Sequence, residues 1–257
     1  MTILVSLLLG AVIGILLGLL GGGGSILAVP ALVYGLGIPL QEAVPMSLMV
    51  VGIASLFGAV PKMRAGLVQW RVAAMFAVTG LLAAFAGSAV NRLLPEAVTL
   101  AGFAIVMIAA GVRMLSSTEG TGTACRVEGS TINWRRCTSR SIPAGLGVGF
   151  LTGLFGVGGG FLIIPALVLL LGIEMSVAVG TSLVIVTANS GSGLLAYLGN
   201  LSLDWGIVAA FTATAIGGSL VAGRYGKNID TRRLQQWFAY LIFAVAAFVL
   251  FQVIFLR

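Results

Sequence analysis

Residues 18–38 read GLLGGGGSILAVPALVYGLGI, and residues 153–173 read GLFGVGGGFLIIPALVLLLGI. A shift of 135 positions superimposes them; carried on without a gap it aligns Gly18–Gly58 with Gly153–Gly193, with 20 of 41 positions identical. At the same offset Trp70 falls on Trp205. The chain is therefore an internal repeat of two related halves.

Each glycine motif interrupts a run that is too long for one membrane crossing. Residues 1–41 and 141–173 carry no Asp, Glu, Lys or Arg. As unbroken helices they would measure roughly 60 and 50 Å, about twice the hydrocarbon thickness. Both read as hairpins or broken helices. Six further charge-free runs, 43–61, 72–91, 97–112, 175–203, 205–223 and 234–256, each suit a single crossing.

Composition fixes the solvent. Of 257 residues 59% are hydrophobic and 8% charged, with a mean hydropathy of +1.14. Such a chain cannot cover its apolar surface with polar side chains, so lipid must do so. With no His and two Cys, it lacks the raw material for His-based acid/base catalysis, metal clusters or a disulfide scaffold. The formal net charge of +7 comes in short clusters between apolar runs, a membrane signature rather than a nucleic-acid-binding face. No Lys or Arg precedes Lys62, so residue 1 onward reads as mature structure without the basic start of a cleavable signal.

Charge counting orients the spans. If residues 141–173 enter and leave on one side, 12 of the 14 Lys and Arg share a face, with Arg92 and Arg257 opposite. That face is cytoplasmic by the positive-inside rule. Equivalent loops then carry opposite bias. Lys62 and Arg64 precede Trp70, whereas Asp204 is the charge before Trp205. The expected fold is an all-α integral membrane protein of two inverted-topology repeats, each a glycine-tipped broken helix or helical hairpin plus three transmembrane helices. Residues 1–113 form the first membrane repeat, 114–140 a cytoplasmic linker, and 141–257 the second repeat. A tandem parallel repeat with eight single spans is the competing arrangement. In a reducing cytoplasm Cys125 and Cys137 of the linker are expected to be free thiols.

The runs GGGGS (Gly21 to Ser25) and GVGGG (Gly156 to Gly160) bear on chemistry. Each glycine costs about 1 kcal/mol in helix propensity, so the runs predict unwound backbone. At membrane depth unwound backbone survives only where protein or a water-filled cavity satisfies it. Its bare N–H groups, ahead of a helix N-terminus, suit an anion. The alternative is that the runs are tight hairpin tips packed together. The candidate substrate-binding residues are Gly22, Gly23, Gly24, Ser25 and Ser47 of the first half, and Gly158, Gly159, Gly160, Thr181, Ser182, Asn189 and Ser190 of the second. Ser47 pairs with Ser182 in the repeat, and Ser55 with Ser190. Glu42, Glu96, Glu174 and Asp204 end the runs and read as interfacial charges. No cofactor or metal is called for. An enzyme is not expected, because no nucleophile, base and metal constellation exists.

These paired segments, GLLGGGGSILAVPAL and GLFGVGGGFLIIPAL, together with YLGNLSLDW at Tyr197 to Trp205, resemble the sulfite exporter TauE/SafE family of membrane permeases over nearly the whole chain. The resemblance implies a multi-pass protein of the bacterial inner membrane that moves small sulfur-containing anions such as sulfite or organosulfonates, usually outward. Expected partners are that small anion and the lipid bilayer, with no nucleic acid; a homodimer stays open. An anion channel and a non-transporting membrane assembly protein are the alternatives.

Overall fold

A computed structural model describes residues 2–91, 93–116, 127–128, 131–132, 134–155, 160–195, 204–225 and 230–255. The first half comprises α1 (Thr2–Leu20), a tight turn Gly21–Gly24, the short leg α2 (Ser25–Pro30) with its wider continuation Ala31–Gly35, then α3 (Leu40–Arg64), α4 (Trp70–Asn91) and α5 (Glu96–Ser116). The second half repeats this as α6 (Trp134–Phe155), α7 (Gly160–Pro165) continued by Ala166–Leu170, α8 (Met175–Leu195), α9 (Trp205–Tyr225) and α10 (Thr231–Phe255). A two-residue antiparallel ladder, β1 (Val127–Glu128) with β2 (Thr131–Ile132), lies between the halves. Among the described residues seven stretches are long and apolar enough to cross a membrane. The fold is thus an all-helical membrane fold.

The stretch Leu4–Gly35 is a hairpin. Gly21 adopts φ +61°, a left-handed conformation open to glycine without steric cost, and the chain reverses there. The short leg then runs back along α1. A Cβ at Gly24 would lie 2.7 Å from Leu17 Cγ, and one at Gly35 would lie 2.6 Å from Leu9 Cδ1. In both halves the helical ladder widens directly after the proline, Pro30 or Pro165. Proline supplies no N–H, so the regular i to i−4 pattern loses a rung there. Gly37 and Gly172, equivalent in the repeat, both take φ +69° and turn the chain into α3 and α8.

The halves interlock by exchange. Gly10, Gly14 and Gly18 on α1 lie against the backbone of Phe211, Ala215 and Ser219 on α9. Shifted by 135, Gly145, Gly149 and Gly153 on α6 meet Phe76 and Thr79, Gly80 and Ala84 on α4. Both pairs run parallel, with glycine spaced every four residues so that backbones touch. Counterpart helices pair the other way. Gly52 of α3 meets Ser190 of α8 while Gly58 meets Leu183, so these two helices are antiparallel. So are α5 and α10, where Gly111 meets Phe243 and Gln235 donates to the Met114 carbonyl at 2.6 Å. Exchanging the halves carries the α1–α9 contacts onto those of α6 with α4.

One expectation fails. Cys137 is disulfide-bonded rather than a free thiol. Charge counting fixes which loops share a side, but it is blind to whether a loop brings two sulfurs within bridging distance. Cys125 lies outside the described residues.

Candidate functional site

The two glycine tips meet each other. A Cβ on Gly22 would collide with the carbonyl of Gly160, and a Cβ on Gly160 would lie 2.5 Å from Ser25 Oγ. Ser25 and Gly160 are equivalent positions in the repeat, and here they touch. Ser25 Oγ donates to the Gly22 carbonyl at 2.6 Å. The Gly22 N–H donates to Ser182 Oγ at 3.4 Å, tying the first tip to a helix of the second half. Gly21, Gly22, Gly23 and Gly24 are all buried. Residues 156–159, including the candidates Gly158 and Gly159, lie outside the described set.

The surroundings of the tips are two-faced. On one side a narrow apolar cleft is lined by Gly23, Ile26, Met107, Phe161, Phe238, Leu241, Ile242 and Val245. On the other, α3 and α8 present matching rows at i, i+4 and i+8: Ser47, Val51, Ser55, and Ser182, Val186, Ser190. Val186 packs on Gly160, with its Cγ2 2.9 Å from a Cβ built there. Ser47 donates to Val44 O at 2.7 Å and Ser182 to Val179 O at 2.9 Å, equivalent bonds in the two halves. The nearest neighbours of the four tip glycines are all uncharged. What the arrangement offers a ligand is therefore hydroxyl and peptide groups.

Gly22, Gly23, Gly24, Ser25, Gly160 and Ser182 thus come together, and Ser47 and Ser190 share their helix rows. Thr181 stands apart. Its Oγ1 accepts the Gln69 N–H at 3.1 Å, pinning the loop ahead of α4 to the start of α8. Asn189 is half-buried and has no hydrogen-bond partner among the described residues. Two residues escaped the sequence-based selection of site residues. Ser55 is fully buried and its Oγ has no partner; its pairing with Ser190 was the available signal. Lys62 is 3% exposed at the end of α3, covered by Gly180, whose added Cβ would lie 3.2 Å from Lys62 Cβ. Nothing in the sequence separates it from the exposed Arg64 beside it. No group of His, Cys, Asp or Glu able to hold a metal occurs among the described residues.

Comparison with known proteins agrees with this architecture. The family model described as sulfite exporter TauE/SafE matches residues 6–249. A "probable membrane transporter protein" of Xylella fastidiosa strain Temecula1 is 34% identical over 250 residues, covering 95% of this chain and 93% of its own. The "probable membrane transporter protein YunE" of Bacillus subtilis strain 168 is 25% identical over 252 residues, covering 91% of this chain and 90% of its own. A relative described in the same terms from Methanocaldococcus jannaschii is 30% identical over 198 residues, covering 75% and 71%. No solved structure matches the chain.

Proposed function

The chain belongs to the sulfite exporter TauE/SafE family, and from that premise we propose that it is a secondary transporter carrying small sulfur-containing anions, such as sulfite or organosulfonates, outward across the bacterial inner membrane. Family and relatives make it a membrane transporter and not an enzyme. The observation that carries the finer reading is the meeting of Gly22 and Gly160 beside Ser182. The Gly22 N–H and the Ser25 and Ser182 hydroxyls lie together there, bonded to one another or to carbonyls in this closed form, and in the proposed cycle an arriving anion draws these neutral donors to itself. In the proposed site Gly22, Gly23, Gly24, Ser25, Ser47, Gly160, Ser182 and Ser190 surround the anion, and Asn189 lines its approach. In this closed arrangement the tips are buried, so loading the site requires one seam between the halves to open.

The proposed membrane orientation is inverted. Counterpart helices that pack antiparallel, α3 on α8 and α5 on α10, are what an in-plane two-fold axis produces. The 12 to 2 division of Lys and Arg supports a cytoplasmic linker at 114–140. One observation favours the reverse side, since the disulfide at Cys137 is of a kind that persists in oxidising compartments. Impermeant thiol labelling of single cysteines placed at Ala65 and Asn200 decides both points. The proposal expects reaction from outside the cell at position 200 alone; labelling of both overturns the inversion, and labelling of 65 alone turns the protein over.

Flux into proteoliposomes, measured against sulfite, sulfate, thiosulfate and sulfonates, tests the substrate class. The expected result is saturable flux of sulfite or a sulfonate. Non-saturating flux makes the protein a channel, and absence of flux for every anion refutes transport of this class.

A further inference from the structure

Hydroxyls inside membrane helices ordinarily donate to a carbonyl of their own helix one turn back. Thr79, Thr152, Thr187, Ser192 and Thr214 all do so here, at 2.6 to 3.1 Å. Ser55 does not. Its Oγ is fully buried without any partner. Its equivalent, Ser190, is 5% exposed and likewise has no hydrogen bond among the described residues. A buried orphan hydroxyl costs about 1 to 3 kcal/mol. The cost falls on Ser55, and Ser190, its equivalent in the repeat, is the hydroxyl residue across the seam from it.

Gly52 faces Ser190 and Gly58 faces Leu183 across the α3–α8 crossing. Residue 55 therefore lies opposite 186–187, and residue 190 opposite 51–52, which sets the two serines about one helical turn apart across the seam. Ser190 continues the α8 row whose preceding members touch the tips, Ser182 at Gly22 and Val186 at Gly160, and Ser55 ends the equivalent row of α3. Gly52 and Gly58 flank Ser55 about one turn to either side on α3 and let α8 approach closely, a Cβ at Gly52 lying 3.1 Å from Ser190 Cβ.

We propose that Ser55 and Ser190 are a paired hydroxyl clamp at the α3–α8 crossing, each donating a hydrogen bond to an oxygen of the transported oxyanion. The inference rests on the transporter reading above and adds Ser55 to the site. In the empty protein the Ser55 hydroxyl is buried without a partner among the described residues, and the anion supplies the missing acceptor. A pair of neutral donors related by the exchange axis presents the same contacts to an anion arriving from either side.

The test is the melting temperature of purified protein with and without sulfite, alongside sulfite flux, for Ser55→Ala, Ser190→Ala, Ser55→Thr and the control Thr212→Ala. Thr212 also has a buried hydroxyl without a partner, but on α9 away from the crossing. The clamp predicts that Ser55→Ala melts no lower than wild type when empty, loses most of the sulfite-induced rise, and shows a KM raised about tenfold, as for a lost bond to a charged group. Ser190→Ala behaves alike, Ser55→Thr restores the sulfite response, and Thr212→Ala keeps it. A full sulfite response in Ser55→Ala overturns the clamp, whatever the empty protein's melting temperature. If that response is kept while Gly22→Ala loses it, the clamp falls and the tip site stands; if both variants keep it, the tip site falls too.

Discussion

Helices α3 and α8 are the same element written twice, yet they are held differently. Ala54 of α3 is fully buried, and its carbonyl accepts from Ser219 Oγ of α9 at 3.3 Å. Gly58 completes that seam, where an added Cβ would lie 3.5 Å from Ser219 Cβ. The equivalent residues on α8 are Asn189, half-buried without a partner, and Gly193, whose near neighbour is Leu48 of α3 instead of α4. The residue matching Ser219 is Ala84, which has no hydroxyl to give. The seam between α4 and α8 is fastened at its other end, by Gln69 to Thr181. One seam is thus fastened at the middle of α3 and the other near the start of α8, while the later part of α8, at Asn189, carries no such bond among the described residues. A near-symmetric frame with one asymmetric seam is the arrangement that rocking between two orientations requires, and it is the difference, not the likeness, that carries this.

The frame itself is expected to be indifferent to which half is struck. Gly14→Leu and Gly149→Leu each drive a side chain into facing backbone, Ala215 or Gly80, and should cost about 3 kcal/mol or more each. Both variants should lose most of their monodisperse detergent-extracted protein, measured by size-exclusion yield. Loss confined to one of them would break the two-fold equivalence.

The seam should separate stability from binding. Asn189→Ala removes no bond among the described residues, so its unfolding free energy should stay within about 0.5 kcal/mol of wild type while substrate affinity falls about tenfold. Ser219→Ala removes the bond to Ala54 and should cost about 1 kcal/mol of stability with affinity unchanged. The reverse pattern, from calorimetry and sulfite titration of both variants, would mean that the looser end of α8 is merely exposed to lipid.

The smallest effect belongs to the linker. Neutralising Arg126, Arg135 or Arg136 should leave sulfite affinity within measurement error, because these residues orient the protein rather than hold its cargo. A collapse of affinity on neutralisation would move binding from the membrane to a basic surface.

Much of this was legible from residues alone. The 135-residue offset predicts that whatever Gly18 does, Gly153 does too, and both lie in the glycine stripes. Four consecutive glycines predict the break at Gly21, because propensity alone forbids a regular helix there. The exchange of partners was not legible. Periodicity shows that a face is small, not which helix covers it, so the match of Gly10, Gly14 and Gly18 to α9 needed coordinates. Thr181 and Ser182 differ by one residue, yet one reaches Gln69 and the other Gly22; a 100° rotation about the helix decides, and spacing fixes that only once the neighbours are known. Ser55 went unselected because an orphan hydroxyl is defined by the partners it lacks, which no sequence displays.

The central claim is that the anion is held where the two glycine tips touch. Sulfite flux in proteoliposomes containing equal amounts of wild type and Gly22→Ala tests it most directly, since the added methyl collides with the Gly160 carbonyl at the point where the tips touch. The account predicts saturable flux in the wild type and none above empty vesicles in the variant, with both proteins inserted and folded. Equal saturable flux in the two would contradict it.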